Sequence, residues 1–186
     1  MMLGLVAVAQ PAAAHSLGAG GTGLGAGLAH PLLGLDHLLA LLGAGLWASW
    51  LGGRLRWALP AAFLGALFLG ALLAWQGLVL PAVEPMIAAS VLVFGLLGAS
   101  AVRSGGLLGL IVTLGFGLFH GQAHGMELPL AAGATGYAIG LLLSSAAVLG
   151  LGLVSGQWLL GGGAQRLHRG LAALLGGIGA GWLIAG

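Results

Sequence analysis

The chain has 186 residues, of which 60% are hydrophobic and 4% charged, with a mean hydropathy of +1.14. A water-soluble domain carries about 25% charged residues, so this chain has no surface suited to water and reads as an integral membrane protein. Its net charge of +2 rests on five arginines and no lysine, too few and too scattered for nucleic acid, and the absence of cysteine excludes disulfides and thiolate metal sites.

The first stretch, residues 1–14, is MMLGLVAVAQPAAA. It is apolar, too short to span a membrane, and ends in an A-x-A pattern before His15, which predicts a signal peptide despite the lack of a basic residue at its start. Cleavage would leave His15 as the new N-terminus, where amine and imidazole would either bind a metal together or simply stay exposed. Residues 15–28, mostly Gly, Ala and Leu, are expected to form a flexible extracytoplasmic lead-in.

Residues 29–186 are expected to form an all-α bundle of six transmembrane helices, near 29–51, 55–75, 83–102, 106–127, 130–155 and 169–185. Each run is about 20 residues, the length a helix needs to cross roughly 30 Å of hydrocarbon. Strands of alternating polarity, the mark of an outer-membrane barrel, are absent. With six spans, Arg54, Arg56, Arg103, Arg166 and Arg169 all fall on one side, which the positive-inside rule makes the cytoplasm. Both termini then face outward, and so do all three acids, while His168 alone among the histidines falls inside. No nucleotide-binding loop of the G-x-x-x-x-G-K-[ST] type is present.

Two polar clusters stand out from this apolar background. In HPLLGLDHLL, Pro31 is placed at a helix start, His30 and His37 share a helical face about 10 Å apart, and Asp36 points toward a neighbouring helix. In FHGQAHGMELP, His120, His124 and Glu127 stack on one face at i, i+4 and i+7. Facing each other, the two stretches would give an outer pair, His30 with Glu127, and an inner group of Asp36, His37, His120 and His124, with Glu84 closing the mouth. Gly117, Gly121 and Gly125 form a small-residue ridge beside the histidines that lets a partner helix approach closely. For His168, an interfacial position beside Arg166 and Arg169 is favoured over an exit ligand.

A single membrane histidine is often a hydrogen bonder between helices. Two clusters of like ligand chemistry at one depth favour a metal site, and imidazole with carboxylate suits Ni, Co, Zn or Fe(II) while disfavouring copper(I).

HPLLGLDHLL resembles the H-P-x-x-G-x-D-H signature of the HupE/UreJ family, and FHGQAHGMELP resembles its F-H-G-x-A-H-G-x-E signature. The resemblance implies a bacterial inner-membrane nickel permease linked to hydrogenase or urease maturation, with His30, Asp36, His37, His120, His124 and Glu127 handling the metal. Glu84 joins them on its expected place at the mouth. The reading is therefore a transporter, not an enzyme, with no cofactor and with Ni²⁺, or else Co²⁺ or Zn²⁺, as its cargo. Its partners are the divalent ion and the lipid bilayer, with no nucleic acid; a homo-oligomer stays open. The rival is an intramembrane hydrolase with a His-bound zinc and Asp36 or Glu127 as general base.

Overall fold

The computed structural model describes residues 23–103, 106–127 and 133–185. The expected signal peptide and His15 lie outside these. The described residues form seven helices and no strand: α1 (Gly23–Leu33), α2 (Leu35–Ala48), α3 (Leu55–Trp75), α4 (Val83–Ala99), α5 (Leu107–Met126), α6 (Ala134–Gly161) and α7 (Gln165–Ala185). Four of them, α3, α5, α6 and α7, are long and apolar enough to cross a membrane. The α1–α2 pair makes a fifth such unit, bent by 80°, and α4 is a shorter apolar helix of 17 residues. Large apolar side chains such as Leu107, Trp158 and Ile184 point outward, the surface a helix bundle presents to lipid.

The expected single helix over 29–51 is corrected: the chain breaks at Gly34. Pro31 sits inside α1 and not at a helix start, and it has no N–H to offer the carbonyl four residues before it. Three residues on, Gly34 takes an extended backbone (φ −90°, ψ 111°) that ends α1 and precedes α2. His30 and His37 thus belong to different helices. The lead-in expected to be flexible is also helical from Gly23, where α1 packs on α6 through Gly27 and Gly140.

Small residues set the packing. A Cβ on Gly121 would strike the backbone of Leu67 and Ala71, and one on Gly117 the backbone of Phe63, so the expected small-residue ridge of α5 packs on α3. Gly45 and Gly152 join α2 to α6 in the same way, and Gly95 and Gly179 join α4 to α7. Such close backbone approach gains dispersion contacts where lipid gives no hydrophobic drive.

Charge is segregated along the bundle. Arg54 precedes α3, Arg103 lies over the Trp50 ring at 5.5 Å, and the Arg169 Nε donates to the Ala99 carbonyl at 2.6 Å. His168 lies at this same end. It is fully buried, which corrects the interfacial expectation. Its Nδ1 accepts from the Trp50 indole N–H at 3.1 Å, and its Nε2 faces the Leu46 carbonyl at 3.1 Å and the Ser49 hydroxyl at 2.9 Å. With both ring nitrogens engaged, His168 ties α7 to the end of α2.

Candidate metal site

At the opposite end from the arginines, three helices bring four imidazoles together. The Asp36 Oδ1 accepts both the backbone N–H and the ring Nδ1–H of His37, each at 2.8 Å. A carboxylate can only accept, so the proton sits on Nδ1 and the Nε2 lone pair is left free. That Nε2 is buried without a hydrogen-bond partner. The expectation that Asp36 reaches a neighbouring helix is thereby corrected: at the first turn of α2 it folds back on its own neighbour. Gly34 makes room for this, because a Cβ there would come within 3.0 Å of the Asp36 carboxylate and 3.1 Å of the His37 ring.

On α5, the His120 Nδ1 donates to the Phe116 carbonyl one turn back at 2.9 Å, which again frees Nε2, buried and unpartnered. His124 is 1% exposed and neither of its ring nitrogens has a partner. Orphaned polar atoms at full burial are rare in folded proteins and need an explanation. Four such nitrogens on three adjacent rings fit a ligand set for a cation.

The rings form a continuous row. The Glu127 carboxylate meets the His30 Nε2 at 2.8 Å. His30 packs edge-on against His124 at 4.8 Å between centroids, His124 lies 4.5 Å from His37, and His37 lies 5.1 Å from His120. The row starts at the exposed Glu127 and ends at the fully buried His120. One ligand atom from each of His30, His124 and Glu127 lies within 4.8 Å of the others. Bond lengths of about 2.0–2.2 Å put tetrahedral ligand atoms roughly 3.3 Å apart, so a modest contraction would close these three on one ion. Glu84, in the exposed first turn of α4, lies within electrostatic range of His37, Asp36 and Glu127 but touches none of them.

The structure thus unites the outer pair and the inner group expected from the sequence. Two residues escaped the sequence reading. Tyr137 on α6 donates its hydroxyl to the His124 carbonyl at 3.1 Å and lays its ring 5.7 Å from His30. As the one tyrosine of the chain, inside an apolar helix, it carried a signal. Gln122, between the two α5 histidines, faces the other way. Its amide donates to the Gly70 and Leu78 carbonyls and its oxygen accepts from the Leu80 N–H, which pins the α3–α4 loop over the bundle.

The chain matches the HupE / UreJ protein family model over residues 3–182. It is 44% identical over 154 residues to Protein HupE of Rhizobium leguminosarum bv. viciae, with 81% of each chain covered. No solved structure matches. A match over nearly the whole length, with both histidine stretches inside it, means that the chain belongs to the HupE/UreJ family.

Proposed function

We propose that this protein is a divalent-metal permease of a bacterial inner membrane, carrying Ni²⁺ inward to nickel enzymes such as hydrogenase or urease. The observation that carries the proposal is the row of four imidazoles, three of them with unpartnered buried nitrogens, open at Glu127 and closed at His120. Carboxylates at the mouth attract the hydrated cation, and successive imidazoles replace its water. Several weak adjacent sites let an ion enter and leave, where one tight cage would hold it. The broken α1–α2 unit, with its break between His30 and His37, supports the same reading, because discontinuous helices build the sites of many transporters.

The orientation follows from charge. The arginine end faces the cytoplasm by the positive-inside rule, so Glu84 and Glu127 face outward. In this arrangement α4 also crosses, its 17 residues spanning about 26 Å, and the bundle has six spans. A dication moving down an inside-negative potential gains about 4.6 kcal/mol per 100 mV, enough to drive accumulation without ATP. The hydrolase alternative fares worse, since both carboxylates expected to serve as its general base are engaged. Asp36 is bonded to His37 and Glu127 to His30.

The test is uptake of radioactive nickel into liposomes holding the purified protein, with cobalt and zinc as competitors. Saturable uptake that is lost in His37→Ala is expected. Stoichiometric metal retained without any uptake would transfer the assignment to the hydrolase.

A further inference from the structure

Beneath His120 the polar row stops against aromatic rings. Phe63 of α3, fully buried, meets the His120 ring edge-on at 5.2 Å. Phe94 of α4 lies 6.2 Å from Phe63 and 5.4 Å from Phe116, and the Trp47 ring stacks on Phe94 at 6.1 Å. These four rings come from four helices and pack in a chain that runs from His120 toward the arginine end, where the Trp47 indole donates to the Val102 carbonyl at 3.1 Å.

Among these rings is a small cavity of about 10 Å³, lined by Trp47, Leu59, Phe63, Phe94, Thr113 and Leu149. That is close to the space of a single water. Thr113 lines it and is 2% exposed, with no hydrogen-bond partner for its hydroxyl. Thr113 and His120 are seven residues apart on α5, two turns or about 10 Å along one face. Phe63 therefore touches both compartments: His120 on one side and the cavity with Thr113 on the other. Pro60, one turn before Phe63, also lines the cavity and leaves α3 without a backbone N–H at that level.

We propose that Phe63, backed by Phe94 and Phe116, is the inner gate of the permeation path, shut in this conformation, with Thr113 the next polar station below it. The proposal rests on the permease reading given above. A bare or hydrated dication cannot pass between packed phenyl rings, and apolar constrictions block ions by excluding water. When the Phe63 ring moves aside, the hydroxyl of Thr113 and the free nitrogen of His120 bracket a connected space in which water finds polar partners on both sides. The proline next to the gate lowers the cost of bending α3 there, because the hydrogen bond that would resist bending is already missing.

The chain has no cysteine, so single-cysteine reporters are read without background. Thr113→Cys is treated with Ag⁺, a single-ion probe, in membrane vesicles of either orientation. Met126→Cys, at the exposed end of α5, marks the Glu127 face. With Phe63 intact, Thr113→Cys should react from that face much more slowly than Met126→Cys. Phe63→Ala should raise its rate severalfold, and Phe63→Leu, which keeps a large apolar side chain, should not. Nickel entry through Phe63→Ala should likewise rise severalfold over the unmodified protein and lose saturation. Thr113→Cys reacting as fast as Met126→Cys with Phe63 in place would overturn the gate, as would nickel entry unaltered by Phe63→Ala. Absence of nickel entry in the unmodified protein would instead overturn the permease reading and the gate with it. If Phe63→Ala does not insert, Phe94→Ala opens the same set of rings and is read in the same way.

Discussion

Replacing Asp36 by Asn separates a ligand from a residue that orients one. Asp36 accepts two N–H groups of His37 at 2.8 Å, one from the backbone and one from the ring. Asn keeps the shape and an accepting oxygen but loses the charge that holds the ring proton on Nδ1 and fixes the orientation of the ring. Outer-shell carboxylates of this kind are worth about 10–100-fold in metal affinity, or roughly 1.4–2.8 kcal/mol. The Asp36 side chain is 32% exposed, and solvent screening puts the loss at the lower end, near tenfold. The assay is Ni²⁺ affinity of the purified protein by competition with a chromophoric chelator, for Asp36→Asn, His37→Ala and the double variant. If Asp36 acts only through His37, Asp36→Asn in the His37→Ala background should change affinity by less than about twofold, the scatter of such cycles. A full further tenfold loss in that background would make Asp36 a direct ligand and refute the orienting role.

Four further outcomes are expected. Gly34→Ala should lower nickel uptake with membrane insertion intact, because the new methyl presses on both the Asp36 carboxylate and the His37 ring; uptake at the normal rate would show that this pair tolerates displacement. Gly121→Ala should destabilise the bundle by about 1–3 kcal/mol in a detergent unfolding series, since its methyl meets α3 backbone, whereas Gly115→Ala, with nothing near it, should be neutral or stabilising by up to about 1 kcal/mol. Gln122→Leu removes three hydrogen bonds at about 1 kcal/mol each and should make the α3–α4 loop a site of early proteolysis. His168→Leu should lower thermal stability but leave nickel stoichiometry as it was, because its ring serves only Trp50, Ser49 and Leu46.

Much of this architecture was legible in the residues. Apolar run length placed α3, α4, α5 and α7 to within a few residues, because in lipid a span must satisfy its own backbone, and a chain without alternating strands for a barrel does so only as a helix. The arginines and acids gave the two ends of the bundle for an equally simple reason: charges stay near water. What periodicity could not give was the partner of each helix. The Gly117–Gly121–Gly125 ridge announces a close neighbour without naming it, and only the complementary Gly70 on α3 decides the pairing. His168 was misplaced because its neighbours Arg166 and Arg169 suggested water, while the indole of Trp50, far off in sequence, supplied the hydrogen bond that permits burial.

The break at Gly34 is the feature that turns two short stretches into one site. His120 and His124 are one turn apart, about 6 Å along α5. On a straight helix His30 and His37 would be two turns apart, about 10 Å, and one of them would overshoot the pair opposite. An 80° bend between them shortens that span and turns both rings toward α5. His30 then reaches His124, and His37 reaches both His124 and His120. The fixed positions of the first stretch acquire distinct tasks in this light. Pro31 weakens α1 before its end, Gly34 ends it and clears space, Asp36 takes the backbone N–H and the ring proton of His37 in the first turn of the next helix, and His37 presents a bare nitrogen. A straightened first helix would keep every one of these residues and lose the row.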